Sequence, residues 1–347
     1  MSRDLVFAYP GDLQLKTGGY GYDREMIVGL QALGWSVSLL PLGEGFPAPT
    51  PEARREAESR LSALDDGTLV LIDGLAFGVL DEWAGREAAR LRIVALVHHP
   101  LALESGIDAQ TQARLHESEQ RALSVVRHVV VTSNGTAREL IANFGVERER
   151  ITVAPPGTSP APLAPGNGEP PHIVAVGTLT PRKAHDVLID ALKSVEDLPW
   201  RATIAGSRTL HPETAAALAA QIERLGLSGR ISLIGEREDI RQLMATGDIF
   251  ALASRYEGYG MVFAEALSQG LPIVACRAGA IPEVVPEEAG FLTPADDVEA
   301  FAGSLRTLLS DQALRRRMAD AARRAGEKLP DWPETARIIS QTLEAQL

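Results

Sequence analysis

The residues best suited to chemistry lie in one segment, Ser254-Arg255-Tyr256-Glu257-Gly258-Tyr259-Gly260-Met261-Val262-Phe263-Ala264-Glu265-Ala266. It follows an apolar run at Ile249–Ala253 and leads into a helical pattern. Gly258 and Gly260 remove side chains where a backbone has to approach a ligand. Amides in a first helical turn point outward with partial positive charge, so Met261 and Val262 suit a phosphate or a sugar hydroxyl. Glu257 and Glu265 form a Glu-x7-Glu pair. Carboxylates accept hydrogen bonds from vicinal hydroxyls, which fits a ribose and a hexose. The same spacing also fits an ordinary glycine-rich helix start with two solvated glutamates.

A second segment, Val176-Gly177-Thr178-Leu179-Thr180-Pro181-Arg182-Lys183-Ala184-His185, again lies between a strand and a helix. Arg182 and Lys183 are adjacent cations, a guanidinium fork and a point charge for phosphate oxygens. A helix N-terminus disfavours cations, so their presence there favours an anionic ligand over a plain exposed basic pair. His98-His99 follows the run Arg92–Val97. Paired histidines raise the question of a metal, but no further ligand stands at a recognisable spacing, and no metal site is expected. Gly18-Gly19-Tyr20-Gly21 follows the first strand without the spacing of a dinucleotide loop. It is either a close-packing turn or a backbone contact for a phosphate or sugar.

These segments need strand ends to hold them, and the hydrophobic pattern supplies the strands. Short apolar runs stand at Leu5–Tyr9, Trp35–Leu40, Thr68–Ile72, Arg92–Val97, His128–Thr132 and Ile151–Ala154. After a Pro/Gly-rich stretch at 155–171 they resume at Ile173–Val176, Arg201–Ala205, Ile231–Ile234, Ile249–Ala253 and Ile273–Ala275. Helical spacing fills the gaps, at 22–33 and 134–144 and then at about 183–195, 213–225, 238–246, 261–269, 297–309 and 311–327, with a last amphipathic helix at 334–347. Strands apolar on both faces and separated by helices predict parallel sheets covered on both sides. The expected fold is therefore α/β, two doubly wound domains: 1–160 and 161–330, the stretch at 331–347 returning to the first. Ligands of such sheets bind beyond the carboxyl ends of the strands.

Composition excludes several classes of function. The chain has 347 residues and a formal net charge of −12, shared by both halves: residues 1–165 hold 15 Lys+Arg against 21 Asp+Glu, and residues 166–347 hold 19 against 25. No basic face for nucleic acid is visible. No apolar run approaches the ~18 residues of a membrane span, and no signal peptide is read, so a cytoplasmic location is expected. The single cysteine, Cys276, sits in an apolar run and is expected to be a buried structural thiol.

Together the segments resemble the retaining glycosyltransferases of the fourth sequence family (glycosyl transferases group 1), which have the GT-B architecture of two Rossmann-like domains around a cleft. The resemblance runs through Gly18-Gly19, His98, Val130-Val131-Thr132-Ser133-Asn134, Ile151 to Gly157, Pro181-Arg182-Lys183, Glu257 with Glu265, Gly279-Ala280-Ile281-Pro282-Glu283 and the helix after Trp332. It implies a hexose transferred with retention from a UDP-, GDP- or ADP-sugar to an acceptor hydroxyl, with no metal or other cofactor. The second domain would bind the donor: Glu265 the ribose; Glu257, Gly258, Tyr259, Gly260, Met261 and Val262 the hexose and nearby phosphate; Arg182 and Lys183 the departing diphosphate. His98 would sit by the sugar and Gly18-Gly19 close over the phosphates from the first, acceptor-side domain. The leaving phosphate oxygen would deprotonate the acceptor on the same face, so catalysis would be positioning and charge stabilisation.

Three positions depart from the family's pattern. Thr178 stands where many members have Arg, and Arg182 is expected to take over that role. His99 stands where Asp is frequent, and Ala184 where Gly or Asn is frequent. The acceptor is expected to meet loops at 43–53 and 99–112. The acidic first domain favours a soluble glycan or small molecule over a lipid-linked acceptor. Two rivals are an epimerase of the same architecture and a non-catalytic sugar-nucleotide scaffold.

Overall fold

A computed structural model describes residues 3–347. The chain divides into two compact units, Met1–Gly157 with Pro330–Leu347, and Thr158–Leu329. The first unit contains β1 (Asp4–Tyr9), α1 (Gly18–Ala32), β2 (Ser36–Pro41), α2 (Pro51–Ser62), β3 (Leu69–Asp73), α3 (Gly74–Phe77), α4 (Asp81–Glu87), β4 (Arg92–Val97), α5 (Ala109–Val125), β5 (His128–Val131), α6 (Asn134–Phe144) and β6 (Ile151–Val153). The second contains β7 (His172–Val176), α7 (His185–Lys193), β8 (Arg201–Ala205), α8 (Pro212–Arg224), β9 (Ile231–Gly235), α9 (Ile240–Met244), β10 (Ile249–Leu252), α10 (Met261–Ser268), β11 (Ile273–Cys276), α11 (Ile281–Val284), β12 (Gly290–Thr293), α12 (Val298–Ser310) and α13 (Gln312–Gly326). The last helix, α14 (Trp332–Glu344), belongs to the first unit.

Each unit carries a parallel sheet, ordered β2-β1-β3-β4-β5-β6 in the first and β12-β11-β10-β7-β8-β9 in the second. The order reverses between β1 and β3 and between β7 and β10, where connections leave the sheet in opposite directions and open a crevice at the carboxyl ends. The central strands are buried on both faces, as β3 and β7 show throughout their lengths, whereas the edge strand β2 has no buried residue. The cores are dominated by Val, Ile, Leu and Ala, with Phe7, Phe77 and Trp83 in one and Phe250, Phe263 and Phe301 in the other.

Hydrogen-bonded caps define the helix ends. The Ser133 hydroxyl accepts from the Thr136 amide at 2.9 Å to start α6, and Gly145 ends it with φ +69°. The returning α14 packs on α1 so closely that a Cβ on Gly29 would fall 2.4 Å from that of Ala336. Trp35 Nε1 donates to Ser340 Oγ at 2.9 Å, and Tyr22 Oη donates to the Ala154 carbonyl at 2.9 Å.

Several sequence expectations are corrected. Gly18 and Gly19 lie inside the first turn of α1, which starts at the Thr17 hydroxyl accepting from the Tyr20 amide. The helix expected from 183 begins at His185, since Pro181–Lys183 forms a separate 3-10 turn and Ala184 has φ +48°. Helices α2 and α5 and the strand β12 were not read; α2 is so polar that only Ala57 and Leu61 are buried. The expected acceptor loops at 43–53 and 99–112 are thereby shortened, as α2 starts at Pro51 and α5 at Ala109. The Pro/Gly-rich stretch is fastened to the second unit: the Gln269 side chain donates to the Pro162 carbonyl at 2.9 Å, and Asp248 accepts from the amides of Gly168 and His172. No helix among the described residues is long and apolar enough to cross a membrane. Cys276 is buried beside Thr293, and burial pushes its thiol up to about 11.

Candidate functional site

The second unit gathers three of the singled-out residues at its switch point. β7 and β10 are paired neighbours, with Ile249 opposite Ile173 and Phe250 opposite Val174, so their following loops emerge side by side. One loop carries Arg182 and Lys183, the other Glu257. Lys183 Nζ donates to Glu257 Oε1 at 2.5 Å, Ser254 Oγ donates to the same oxygen at 2.7 Å, and Arg182 Nη1 lies 3.4 Å from Oε2 while donating to the Tyr256 carbonyl at 2.9 Å.

Glu257 is 5% exposed. Burial works to raise its pKa, but the charges of Lys183 and Arg182 and the hydrogen bonds outweigh it, and the carboxyl titrates below the ordinary glutamate range. The cations that the sequence reading matched to an anionic ligand thus already face an internal anion. Arg182 is committed to a carbonyl and a carboxylate of the opposite loop.

Residues to which the sequence reading gave no role hold this arrangement. The Arg255 backbone donates to the Arg182 carbonyl at 2.8 Å, and its guanidinium reaches the Pro181 carbonyl, Asp186 at 3.0 Å and Asp296 at 2.7 Å. One side chain therefore ties three loops. Gly279, with φ +56°, lies against Glu257: a Cβ there would stand 2.1 Å from the Glu257 carbonyl oxygen, which accepts from the Ala280 amide at 2.9 Å. His185 is buried beneath the turn with Nε2 3.3 Å from the Gly177 carbonyl, and burial pushes it down to about 4, so it is neutral. A lone strand-to-helix histidine or glycine carries no such signal in a single sequence.

Gly258 and Gly260 complete the loop, and Gly260 precedes α10 at φ +92°. Met261 and Val262 form the first turn of α10, half-buried, with Tyr259 beside them; burial and then the charge of Glu283 push the phenol up to about 12. Glu265 is half-buried and apart from the Lys183 knot. Burial raises its pKa, and its opposing charge is Arg241 of α9, which is bound to Gln269 and Ser268.

The first unit holds His98, Gly18 and Gly19. His98 Nε2 lies 3.1 Å from Asp23 Oδ1, and a Cβ on Gly19 would stand 3.4 Å from His98 Cδ2. His99 Nε2 pairs with Glu104 at 3.3 Å. Asp23 on α1 and Asp73 at the end of β3 were not anticipated from the sequence. With His98 they are the trio of potential metal-binding side chains that converges among the described residues, their ligand atoms within 4.8 Å of one another. The direct His98–Asp23 hydrogen bond occupies atoms that an ion would need.

Comparison with known proteins agrees with the geometry. Residues 36–161 match glycosyltransferase family 4, and residues 164–325 match glycosyl transferases group 1. A D-inositol 3-phosphate glycosyltransferase of Xylanimonas cellulosilytica is 30% identical over 281 residues, covering 73% of this chain and 67% of that protein. Sucrose-phosphate synthase from Thermosynechococcus elongatus has the same fold, with a TM-score of 0.83 at 19% identity over 98% of both chains. Anabaena HepE in complex with UDP-glucose superposes with a TM-score of 0.77 at 23% identity over 98% of this chain and 99% of that one. Against curated relatives the chain spans from 35% to 76% of their length. By these matches and by its two parallel sheets, the chain belongs to the glycosyl transferases group 1 and has the GT-B fold.

Proposed function

We propose that the chain transfers a hexose, with retention of anomeric configuration, from a UDP-, GDP- or ADP-sugar to an acceptor hydroxyl. The observation that carries this reading is the Glu257–Lys183–Arg182 knot at the β7/β10 switch point. Two cations and a carboxylate on adjoining loops are preset where a diphosphate and a hexose belong in an open α/β sheet. Lys183 and Arg182 supply positive charge at the departing diphosphate, the task a divalent cation performs in metal-assisted transfer, so a metal-independent reaction is proposed. Glu257, Gly258, Tyr259, Gly260, Met261 and Val262 take the hexose side, and Glu265 takes the ribose. Anabaena HepE, a protein of the same fold, is known in complex with UDP-glucose, which supports a nucleoside diphosphate donor. The leaving oxygen deprotonates the acceptor on the same face, so no carboxylate nucleophile is required.

The acceptor is proposed to be a soluble polyhydroxyl compound met by the first unit, whose ionisable residues are acidic in excess. The whole chain is proposed to act in the cytoplasm. The test is thermal stability against UDP, GDP and ADP and their glucose or mannose conjugates, without metal and with EDTA. A stabilising shift by one nucleotide series, lost in Lys183→Ala, is expected. Absence of any shift from well-folded protein at millimolar ligand would sink the reading. The anomeric configuration of the first product, followed by proton NMR, tests retention.

A further inference from the structure

His98 follows β4 at the carboxyl end of the first sheet, and three features around it play no part in the function proposed above. Its Nε2 lies 3.1 Å from Asp23 Oδ1. Asp23 is fully buried, and its second oxygen, Oδ2, has no hydrogen-bond partner among the described residues. Asp73, 2% exposed, brings a second carboxyl to within 4.8 Å of both. Two ionised carboxyls beside one imidazolium, screened from water, would leave a buried negative charge uncompensated, which is strongly unfavourable. A proton held between Asp73 and Asp23 removes that charge and gives Asp23 Oδ2 the donor it lacks.

The local electrostatics point the same way. Burial, and then the charge of Asp23, push Asp73 up to about 7. For His98 burial works downward, but the charge and hydrogen bond of Asp23 and the charge of Asp73 outweigh it, and the net shift is upward. The other titratable groups nearby are Tyr22, whose ring meets that of His98 edge-on at 5.3 Å, and Tyr20, which feels Asp73, Asp23, Glu44 and Asp12. His99 is paired with Glu104.

The ring is held from several sides. Tyr22 and the Gly19 backbone pack against it, and the Thr132 hydroxyl donates to the His98 carbonyl at 3.2 Å. With Nε2 engaged by Asp23, Nδ1 is the ring nitrogen left to act on a ligand.

We propose that Asp23 and Asp73 are positioning residues for His98: Asp23 locks Nε2 and its charge keeps the imidazole a cation, while one proton held between the two carboxyls satisfies Asp23 Oδ2 and leaves the buried trio without net charge. The trio's proton sharing does not rest on the glycosyl-transfer reading. A divalent cation is the competing occupant.

Long-range proton–nitrogen NMR of the full chain follows the His98 ring, assigned by the signal lost in His98→Gln. Asp23→Asn is expected to lower the His98 pKa, since the charge and hydrogen bond that hold it up against burial are lost. Asp73→Asn is expected to abolish the second inflection near pH 7 that Asp73 imposes on the His98 signals while Nε2 stays bonded. An unchanged His98 titration in folded variants overturns the proposal, and Asp73→Asn alone decides if Asp23→Asn does not fold. Displacement of the His98 signals by equimolar zinc or magnesium overturns it too, in favour of an ion.

Discussion

Glu257 is the residue on which the donor-side geometry turns, because its charge is buried and held by Lys183 and Arg182. Removing one partner of a buried ion pair leaves the other charge stranded, at a cost of about 3 kcal/mol. Lys183→Ala is therefore expected to lose about that much in urea denaturation at pH 7, as well as the donor-induced thermal shift. Unchanged stability would mean that the knot is not held in solution. The pKa of Glu257 is depressed in the folded chain, so its contribution is fully present above the ordinary glutamate value of 4.5 and is lost as pH falls through the lower folded value. Glu257→Gln is expected to flatten that acid limb of a stability–pH profile. Asp73 has the opposite sign. With its carboxyl raised from 3.8 to about 7, the folded chain holds a proton that the unfolded chain has released, so this contribution falls as pH rises between those values. Asp73→Asn is expected to be more stable than the unmodified chain at pH 8 and to lose that advantage towards pH 4; equal pH dependence of the two would refute the raised carboxyl.

Among the elements, the loop before α10 and the turn before α7 depend on backbone positions that side chains cannot replace. Gly279 combines a positive φ with a Cβ position 2.1 Å from the Glu257 carbonyl oxygen. Gly279→Ala is expected to cost roughly 2 kcal/mol or more through strain and displacement of that loop, and to abolish nucleotide-dependent stabilisation. Retention of a normal thermal shift would show that the loop adapts. Ala184 adopts φ +48° ahead of α7. Gly or Asn would enter this left-handed region at lower cost than alanine does. The strands were legible because parallel strands buried on both faces are continuous apolar runs, and the helices with strong apolar stripes followed. α2 was not legible because half of its residues are charged and only Ala57 and Leu61 are buried. β12, Gly290–Thr293, begins with glycine and ends with threonine, leaving only Phe291 and Leu292 as an apolar signal.

For the whole molecule, a nucleoside diphosphate is expected to act on the second unit. Hydrogen exchange with UDP, GDP or ADP should slow amides around 177–183 and 254–265, with the nucleotide that gives the thermal shift. Protection confined to other segments would relocate the donor site. The amino-acid sequence by itself determined the repeated strand–helix alternation, the break near 155–171, the excess of acidic residues in both halves and the motif segments after strands, because these depend on composition and near-neighbour periodicity. It also determined that Arg182, Lys183 and Glu257 follow strand ends. What it could not determine is which strand ends are neighbours. Tertiary structure decided that β7 lies beside β10, which joins Lys183 to Glu257 across 74 residues. The register of β3 with β4, Asp73 opposite Leu96, then sets Asp73 and His98 at one sheet end, where α1 adds Asp23. Such meetings follow from sheet order and from burial that makes unpaired charge costly, and both are properties of the folded chain alone.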